Sequence, residues 1–326
     1  MTAKDAGKRR LLVIDNRCDL YLEALEARFP DLNVEACTNA DDVARHLAVL
    51  EPEVVFSIKG PSFPGPAHRP VLDCPSVRWV QVGGAGVDHL LPREPSKITV
   101  TNAAGVLSPF MAEYVIGAIL MCNFGFPAYW RQQQESCWHQ RHWTAAAGKT
   151  LLVVGLGRIG QQTARLAKAI GLRVLAVRQQ PEAPESVDAV FPPDRLHEAL
   201  QESDFVVLHV PLTEATRHLI DAAALARMKP SALLINCARG PVVDEIALLA
   251  ALDEGRLGGA VLDVFAEEPL PAGSPLWSNE RVIVTPHVSD SVADWRQRFA
   301  DFFADNLDRW LAGRPLHNQV DPSRGY

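Results

Sequence analysis

Leu151-Leu152-Val153-Val154-Gly155-Leu156-Gly157-Arg158-Ile159-Gly160 stands near the middle of this chain and runs on into Gln161-Gln162-Thr163-Ala164-Arg165-Leu166-Ala167-Lys168. Four consecutive apolar residues fit a strand buried on both faces, and the run after the last glycine is rich in good helix formers. Between them lies G-x-G-x-x-G in the strand–turn–helix setting that gives the pattern its meaning. Gly155 permits the turn, Gly157 lets the backbone approach a pyrophosphate, and Gly160 lets the helix pack against the strand. The helix N-terminus at Arg158 and Ile159 then offers unpaired N–H groups and a positive dipole end to phosphates. A glycine-rich turn without a ligand is the alternative, and the flanking pattern argues against it.

The next apolar run, Arg173 to Val177, ends where the adenosine ribose of a dinucleotide would be read. An acidic residue there would hydrogen-bond the 2′-hydroxyl of NAD. The chain instead reads Val177-Arg178-Gln179-Gln180, 23 residues beyond Gly155, with no carboxylate. Arg178, planar and always charged, suits a 2′-phosphate and can stack on adenine. This points to NADP(H), with NAD(H) as the lesser cofactor; a solvated strand-end arginine is the alternative.

Short Val-, Ile- and Leu-rich runs recur on both sides. Leu11–Asp15, Val34–Cys37, Val54–Ile58, Trp79–Val82 and Thr99–Asn102 read as strands in the first third. Leu151–Val154, Arg173–Val177, Phe205–Val210, Leu233–Asn236, Ala260–Val264 and Val282–Thr285 form a second series. Near-continuous apolar strands separated by helical patterns predict an α/β protein with parallel sheets covered on both faces. The series restarts at Lys149, after a Gln- and Trp-rich stretch from Arg131 to Trp143. A dinucleotide-type domain therefore occupies the middle, and the first hundred or so residues form another α/β unit. The amphipathic stretch Val292–Leu311 can return to either.

At 326 residues the chain is long enough for two domains. Its 48% hydrophobic and 22% charged residues exclude a disordered, collagen-like or coiled-coil protein. The net charge of −7 argues against nonspecific binding to nucleic acid or an anionic membrane. The six cysteines, at 18, 37, 74, 122, 137 and 237, contain no C-x-x-C pair, as expected of a reducing, cytoplasmic compartment. Met1 to Arg10 is polar and basic with four apolar residues after it, too short a run for an export signal. Tyr114–Trp130 has no formal charge but carries Asn123, two glycines and Pro127, and reads as a buried helix or a subunit interface rather than a membrane span.

Three later strands each lead to one polar residue. Leu233–Asn236 leads through Cys237-Ala238 to Arg239-Gly240, Ala260–Val264 to Glu268-Pro269, and Val282–Thr285 to Pro286-His287. Ligands of open α/β sheets bind beyond the carboxyl ends of strands, so these residues can converge. Arg239 can grip a carboxylate bidentately and polarise a carbonyl. His287 can exchange one proton near neutrality, and Glu268 can fix its tautomer. With a nicotinamide the set suits hydride transfer to a 2-keto acid. Taken singly, each has a structural alternative: salt bridge, solvated loop, ordinary histidine.

From about Gln81 to Val288 the chain resembles the D-isomer-specific 2-hydroxyacid dehydrogenase family. The resemblance is carried by Val153–Gly160, His209-Val210-Pro211-Leu212-Thr213, Met228-Lys229-Pro230, Asn236–Gly240, Leu262–Pro269 and Thr285-Pro286-His287-Val288. It implies two Rossmann-like doubly wound parallel-sheet domains separated by an active-site cleft whose closure excludes water. Residues 1–103 and 288–326 would form the substrate-binding domain and 104–287 the dinucleotide-binding domain. It implies that Arg239 binds the substrate carboxylate and keto oxygen, and that His287, supported by Glu268, is the acid/base. Asp263 and the backbone at Cys237-Ala238 would hold the nicotinamide amide. Arg158, Ile159, Gln179, Val210, Pro211 and Thr216 complete the implied cofactor contacts, and no metal is assigned. Gly83-Gly84-Ala85-Gly86-Val87-Asp88 resembles the family's substrate loop, with Gly84, Ala85 and Gly86 receiving the carboxylate; glycines also permit such an anion-binding nest of N–H groups. A tight strand-to-helix turn is the other reading of that loop. The resemblance further implies a homodimer, with Ser108–Gly125 at its interface.

Five positions bear on how far the resemblance reaches. Arg178 replaces the usual acidic residue, as in NADPH-using glyoxylate/hydroxypyruvate reductase-like members. Asp290 stands where a small residue is common, and either repels acidic substrates or faces solvent. Met111 falls where an apolar or small side chain packs near the nicotinamide. Trp138 and Trp143 line a pocket or, as we expect, pack between domains. The reaction expected is reduction of a small 2-keto acid by NADPH, or its reverse. A dinucleotide-sensing corepressor is disfavoured by the retained Arg239, Glu268 and His287. A formate dehydrogenase is disfavoured because Glu268 stands where those enzymes place Gln, and a phosphite dehydrogenase by Arg178.

Overall fold

The computed structural model describes residues 8–60, 62–90, 98–179 and 184–321. Gln180, the last residue of the stretch after Val177, lies outside them. In chain order the helices are α1 (Leu22–Arg28), α2 (Val43–Leu50), α3 (Arg69–Asp73), α4 (Ser108–Phe124), α5 (Phe126–Gln134), α6 (Arg158–Ala169), α7 (Leu196–Glu202), α8 (Ala222–Leu225), α9 (Glu245–Asp253) and α10 (Trp295–Leu311).

The chain divides into two units, Met1–Val106 with Ala293–Tyr326, and Leu107–Val292. The junctions at 106/107 and 292/293 fall a little beyond the expected 103/104 and 287/288. Ala104 explains the first, since its carbonyl accepts from Asn318 Nδ2 at 2.8 Å and ties the segment to unit 1. Asp263 explains the second, since its carboxylate holds the N–H groups of Val288 and Ser289 in unit 2.

Unit 1 is a five-stranded parallel sheet in the order β2-β1-β3-β4-β5. Its strands are β1 (Arg9–Ile14), β2 (Leu32–Cys37), β3 (Val54–Ile58), β4 (Trp79–Gly83) and β5 (Thr99–Thr101). Helix α10 belongs to this unit. Its Phe299, Ala300, Phe303, Ala304 and Leu307 form one buried face at helical spacing. Phe303 stacks on Phe56 of β3 with centroids 4.5 Å apart, and Trp79 of β4 lies 5.5 Å from Phe303 and from Trp310. The buried Asn306 donates to Gln81 Oε1 at 3.0 Å, and that oxygen also accepts from Thr101 Oγ1 at 2.7 Å. A polar group in such a core is tolerable only when bonded, so these bonds also set the register of α10 on the sheet.

Unit 2 is a seven-stranded parallel sheet in the order β12-β11-β10-β9-β6-β7-β8. Its strands are β6 (Thr150–Val154), β7 (Arg173–Val177), β8 (Ala189–Phe191), β9 (Phe205–Leu208), β10 (Leu233–Asn236), β11 (Gly259–Leu262) and β12 (Val282–Val284). Successive residues of β6 enter opposite cores, Leu152 and Val154 one, Leu151 and Val153 the other. Each such side chain contributes roughly 1.5–3 kcal/mol on burial, which is why these strands read as unbroken apolar runs. The edge strand β8 has no counterpart in the expected series. It is three residues long with only Phe191 fully buried, and it follows a Pro-containing stretch that masks any strand pattern.

Helix α6 buries Gly160, Thr163, Ala164 and Ala167, a stripe of small residues that lets it lie close to the sheet. The expected buried helix at Tyr114–Trp130 is two helices, α4 and α5, bent by 61° at Gly125, which has φ +75°. No single helix among the described residues is long and apolar enough to cross a membrane. Val115, Ala118 and Ile119 of α4 instead enter the core of unit 2, and Met111 packs on the same cluster. All six cysteines are free thiols.

Candidate active site

The strand order of unit 2 reverses at β6, whose neighbours are β7 and β9. At its carboxyl end the three strands are laced together. Gly155 N–H donates to Val177 O at 3.0 Å, and His209 N–H donates to Val154 O at 2.8 Å. Gly155 has φ +101°, and a Cβ on it would lie 2.7 Å from the carbonyl of His209. A Cβ on Gly160 would lie 2.2 Å from Gly155 O, whereas one on Gly157 would meet nothing within 4 Å. The turn is thus closed beneath and open above, at the exposed start of α6 formed by Gly157 and Arg158, with Ile159 half-buried behind them. His209 was quoted in the sequence without a role. Its Nε2 lies 3.0 Å from Thr163 Oγ1, and burial drives its pKa down to about 3, so the ring is neutral.

Arg178 follows β7 directly and is half-buried, with its N–H donating to Phe191 O at 3.1 Å, and Gln179 is exposed. Val210, Pro211 and Thr216 follow β9. The Thr216 hydroxyl donates to Pro211 O at 2.6 Å and accepts from Thr213 N–H at 2.8 Å, so it folds its own loop.

Arg239, Glu268 and His287 follow β10, β11 and β12, three neighbours in the sheet. His287 Nδ1 lies 2.8 Å from Glu268 Oε2, with the two side chains 44% and 36% exposed. Glu268 Oε1 accepts from Phe265 N–H at 3.0 Å, so the carboxylate is held at both oxygens. The Glu268 hydrogen bond raises the proton affinity of His287; burial and Arg239 oppose it, and Asp290 reinforces it. Burial pushes the Glu268 carboxyl up, but the bonds from His287 and Phe265 and the charge of Arg239 prevail, leaving it below its ordinary value. Arg239 is therefore within electrostatic reach of both partners. Its Nη1 donates to Ala238 O at 2.7 Å, and its carbonyl accepts from Asn236 Nδ2 at 3.1 Å. Cys237 and Ala238 are buried beside it, and burial followed by Asp263 raises the Cys237 thiol.

Asp263, expected at the cofactor, holds the turn that carries His287. It is fully buried, Oδ1 accepts from Thr285 Oγ1 at 2.5 Å and Val288 N–H at 2.8 Å, and Oδ2 accepts from Ser289 N–H at 2.9 Å. Its carbonyl accepts from His287 N–H at 2.9 Å. Gly240 was another residue without an assigned role. A Cβ on it would lie 1.8 Å from Phe265 C, so the Arg239 loop rests directly on the loop carrying Glu268. No spacing rule exposes such a contact between segments 25 residues apart.

In unit 1, Gly84 has φ +135° and its carbonyl accepts from Ala103 N–H, while Ala85 O accepts from Asn102 Nδ2 at 2.9 Å. The N–H groups of Gly84, Ala85 and Gly86 meet no acceptor among the described residues. Asp290 is half-buried, and burial raises its carboxyl. The two tryptophans expected to pack between domains stand differently. Trp143, 55% exposed, meets Phe124 of its own unit edge-on at 4.7 Å, and Trp138, 93% exposed, lines an open cavity with Tyr129 and Gln133, the other reading of its place.

The family model described as D-isomer specific 2-hydroxyacid dehydrogenase, NAD binding domain, matches residues 116–289. A glyoxylate reductase of Korarchaeum cryptofilum (strain OPF8) is 38% identical over 258 residues, covering 76% of this chain and 77% of that one. The crystal structure of a D-isomer specific 2-hydroxyacid dehydrogenase from Xanthobacter autotrophicus Py2, in complex with NADPH and MES, superposes with TM-score 0.85 at 36% identity, covering 98% of this chain and 100% of that one. An NADPH-dependent glyoxylate/hydroxypyruvate reductase from Sinorhizobium meliloti, in complex with NADP and sulfate, gives TM-score 0.82 at 27% identity, again over 98% and 100%. Two parallel α/β sheets, a glycine turn at the strand-order reversal and an Arg–Glu–His set thus coincide with this likeness, and the chain belongs to the D-isomer specific 2-hydroxyacid dehydrogenase family, as an NAD(P)-dependent oxidoreductase.

Proposed function

We propose that the chain reduces a small 2-keto acid, of the glyoxylate/hydroxypyruvate kind, to its D-2-hydroxy acid with NADP(H) in preference to NAD(H). The observation that carries the reading is the 2.8 Å contact of His287 Nδ1 with Glu268, made within reach of Arg239 in the same sheet as the glycine turn.

The chain's residues fit the dinucleotide. The bare backbone at Gly157 and the N-terminus of α6 suit a pyrophosphate. Arg178, beside the turn at the end of β7, suits a 2′-phosphate. When bound, the reduced nicotinamide supplies the hydride that adds to the keto carbon. Arg239 pairs with the substrate carboxylate and draws electron density toward the keto oxygen. Gly84, Ala85 and Gly86 are assigned to the carboxylate by their available N–H groups and by the resemblance. Glu268 occupies Nδ1 of His287, so Nε2 delivers the proton to the developing alkoxide. The bond to Glu268 keeps His287 protonated to higher pH, so reduction falls as pH rises through that elevated value. The exposed Phe126, Trp130, Trp138 and Trp143 fit self-association as a homodimer.

The test is NADPH oxidation followed by absorbance against 2-keto acids from glyoxylate and hydroxypyruvate to phenylpyruvate, with NADH in parallel. Turnover with NADPH, cut ~10²–10⁴-fold by His287→Ala and shifted toward NADH by Arg178→Ala, is the expected result. Tight dinucleotide binding with no turnover on any member would move the assignment to a dinucleotide sensor, and a clear NADH preference would remove the role of Arg178.

A further inference from the structure

His287 has φ +53°, a left-handed conformation that residues bearing a Cβ rarely adopt. Such a residue persists only where its surroundings over-determine it. Three backbone bonds do so here, from His287, Val288 and Ser289 to the carbonyl and carboxylate of Asp263. The two from Val288 and Ser289 hold the turn only as firmly as that carboxylate is itself held. Thr285 Oγ1 donates to Asp263 Oδ1 at 2.5 Å, and Tyr114 Oη lies 2.7 Å from the same Thr285 oxygen. A hydroxyl has one proton to give. Since Thr285 gives it to Asp263, Tyr114 is the donor to Thr285. Burial raises the Tyr114 phenol, keeping it a donor throughout the working pH range. Tyr114 comes from α4, whose Val115 and Ile119 are fully buried, so the chain of bonds ends on a fixed element.

We propose that Tyr114 and Thr285 are positioning residues, a hydrogen-bonded post from α4 through Asp263 that fixes the turn carrying His287 and thereby its alignment with Glu268. The inference rests on the reading of His287 as acid/base. Neither residue is placed in contact with substrate or cofactor. Removing the Thr285 hydroxyl leaves Asp263 Oδ1 one donor short and Tyr114 without its acceptor, so the turn relaxes and the bond from His287 to Glu268 lengthens. The charged groups acting on His287 are Glu268, Arg239 and Asp290, and the bond to Glu268 is the largest influence. Weakening it moves the protonation of His287 to lower pH.

The test uses the full chain, NADPH and the best keto acid of the panel, with Thr285→Val, Thr285→Ser, Tyr114→Phe and His287→Ala side by side. Thr285→Val is expected to lower kcat on the order of 10²-fold, the cost of a small misplacement, with little change in KM or NADPH affinity. The pH limit of its reductive activity moves down. Thr285→Ser, which keeps the hydroxyl, recovers most of the loss. Tyr114→Phe lowers kcat about five-fold, the worth of one neutral hydrogen bond, and moves the same limit in the same direction. Unchanged kcat and pH limit in Thr285→Val, with His287→Ala inactive, overturn the post alone. A loss confined to thermal stability does the same. Near-wild-type turnover in His287→Ala overturns the acid/base reading, and the post with it. If Thr285→Val does not fold, Tyr114→Phe decides, since it removes one oxygen and leaves the ring.

Discussion

Glycines that follow strands of this chain differ, position by position, in why a larger residue would not fit. In the Gly83–Gly86 turn of unit 1, Gly84 has φ +135° while a Cβ there would meet nothing, so backbone conformation is the constraint. In unit 2, Gly155 meets both conditions, with φ +101° and a Cβ 2.7 Å from His209 C, whereas Gly160 of the same turn and Gly240 of the Arg239 loop have no positive φ but would place a Cβ 2.2 Å and 1.8 Å from backbone atoms, so there space is the constraint. Gly157 meets neither condition. It has φ −78° and ψ −159°, and no atom within 4 Å of where a Cβ would stand. The folded chain alone does not require glycine there. A dinucleotide approaching that open face would use its smallness, which is the physical content of the proposed reading of the turn.

The sharpest test of this contrast is Gly240→Ala. The added methyl forces the Arg239 loop off the Phe265–Ala266 peptide, costing about 1–3 kcal/mol of stability and on the order of 10²-fold in kcat through misplacement of Arg239. Thermal unfolding and steady-state kinetics check it, and an undisturbed variant would mean that the two loops separate freely. Gly157→Ala is expected to unfold at the wild-type temperature yet bind NADPH about tenfold more weakly, since the methyl meets the pyrophosphate rather than the protein. Fluorescence titration measures this; unchanged affinity would remove Gly157 from the cofactor site. Gly84→Ala has the smallest effect. Strain of about 1–3 kcal/mol is relieved by movement of an open turn, so KM for the keto acid rises several-fold and NADPH affinity does not change. A change in cofactor affinity instead would mean that the turn serves the dinucleotide.

Much of this was legible in the chain itself. The apolar runs mark the central strands because a parallel strand buried on both faces has no polar positions to hide it. The G-x-G-x-x-G turn is legible because its residues interact with one another across six positions. Arg239, Glu268 and His287 were reachable because each directly follows a recognisable strand. The edge strand β8 was not, since three half-covered residues leave no pattern. Trp138 misled because bulk and apolarity predict burial only on average, and its neighbours along the chain are polar and exposed.

The sequence by itself determined the class of fold and singled out the glycine turn and Arg239, Glu268 and His287 as candidates, because those depend on local periodicity and on neighbours in the chain. Only the tertiary structure decided that Asn306 would lock α10 to β4 and β5, that Gly240 would rest on the loop of Glu268, and that Tyr114 would reach Thr285 across 171 residues. Those contacts depend on which strands become neighbours, and two residues gain a distance from each other only when the sheet has formed.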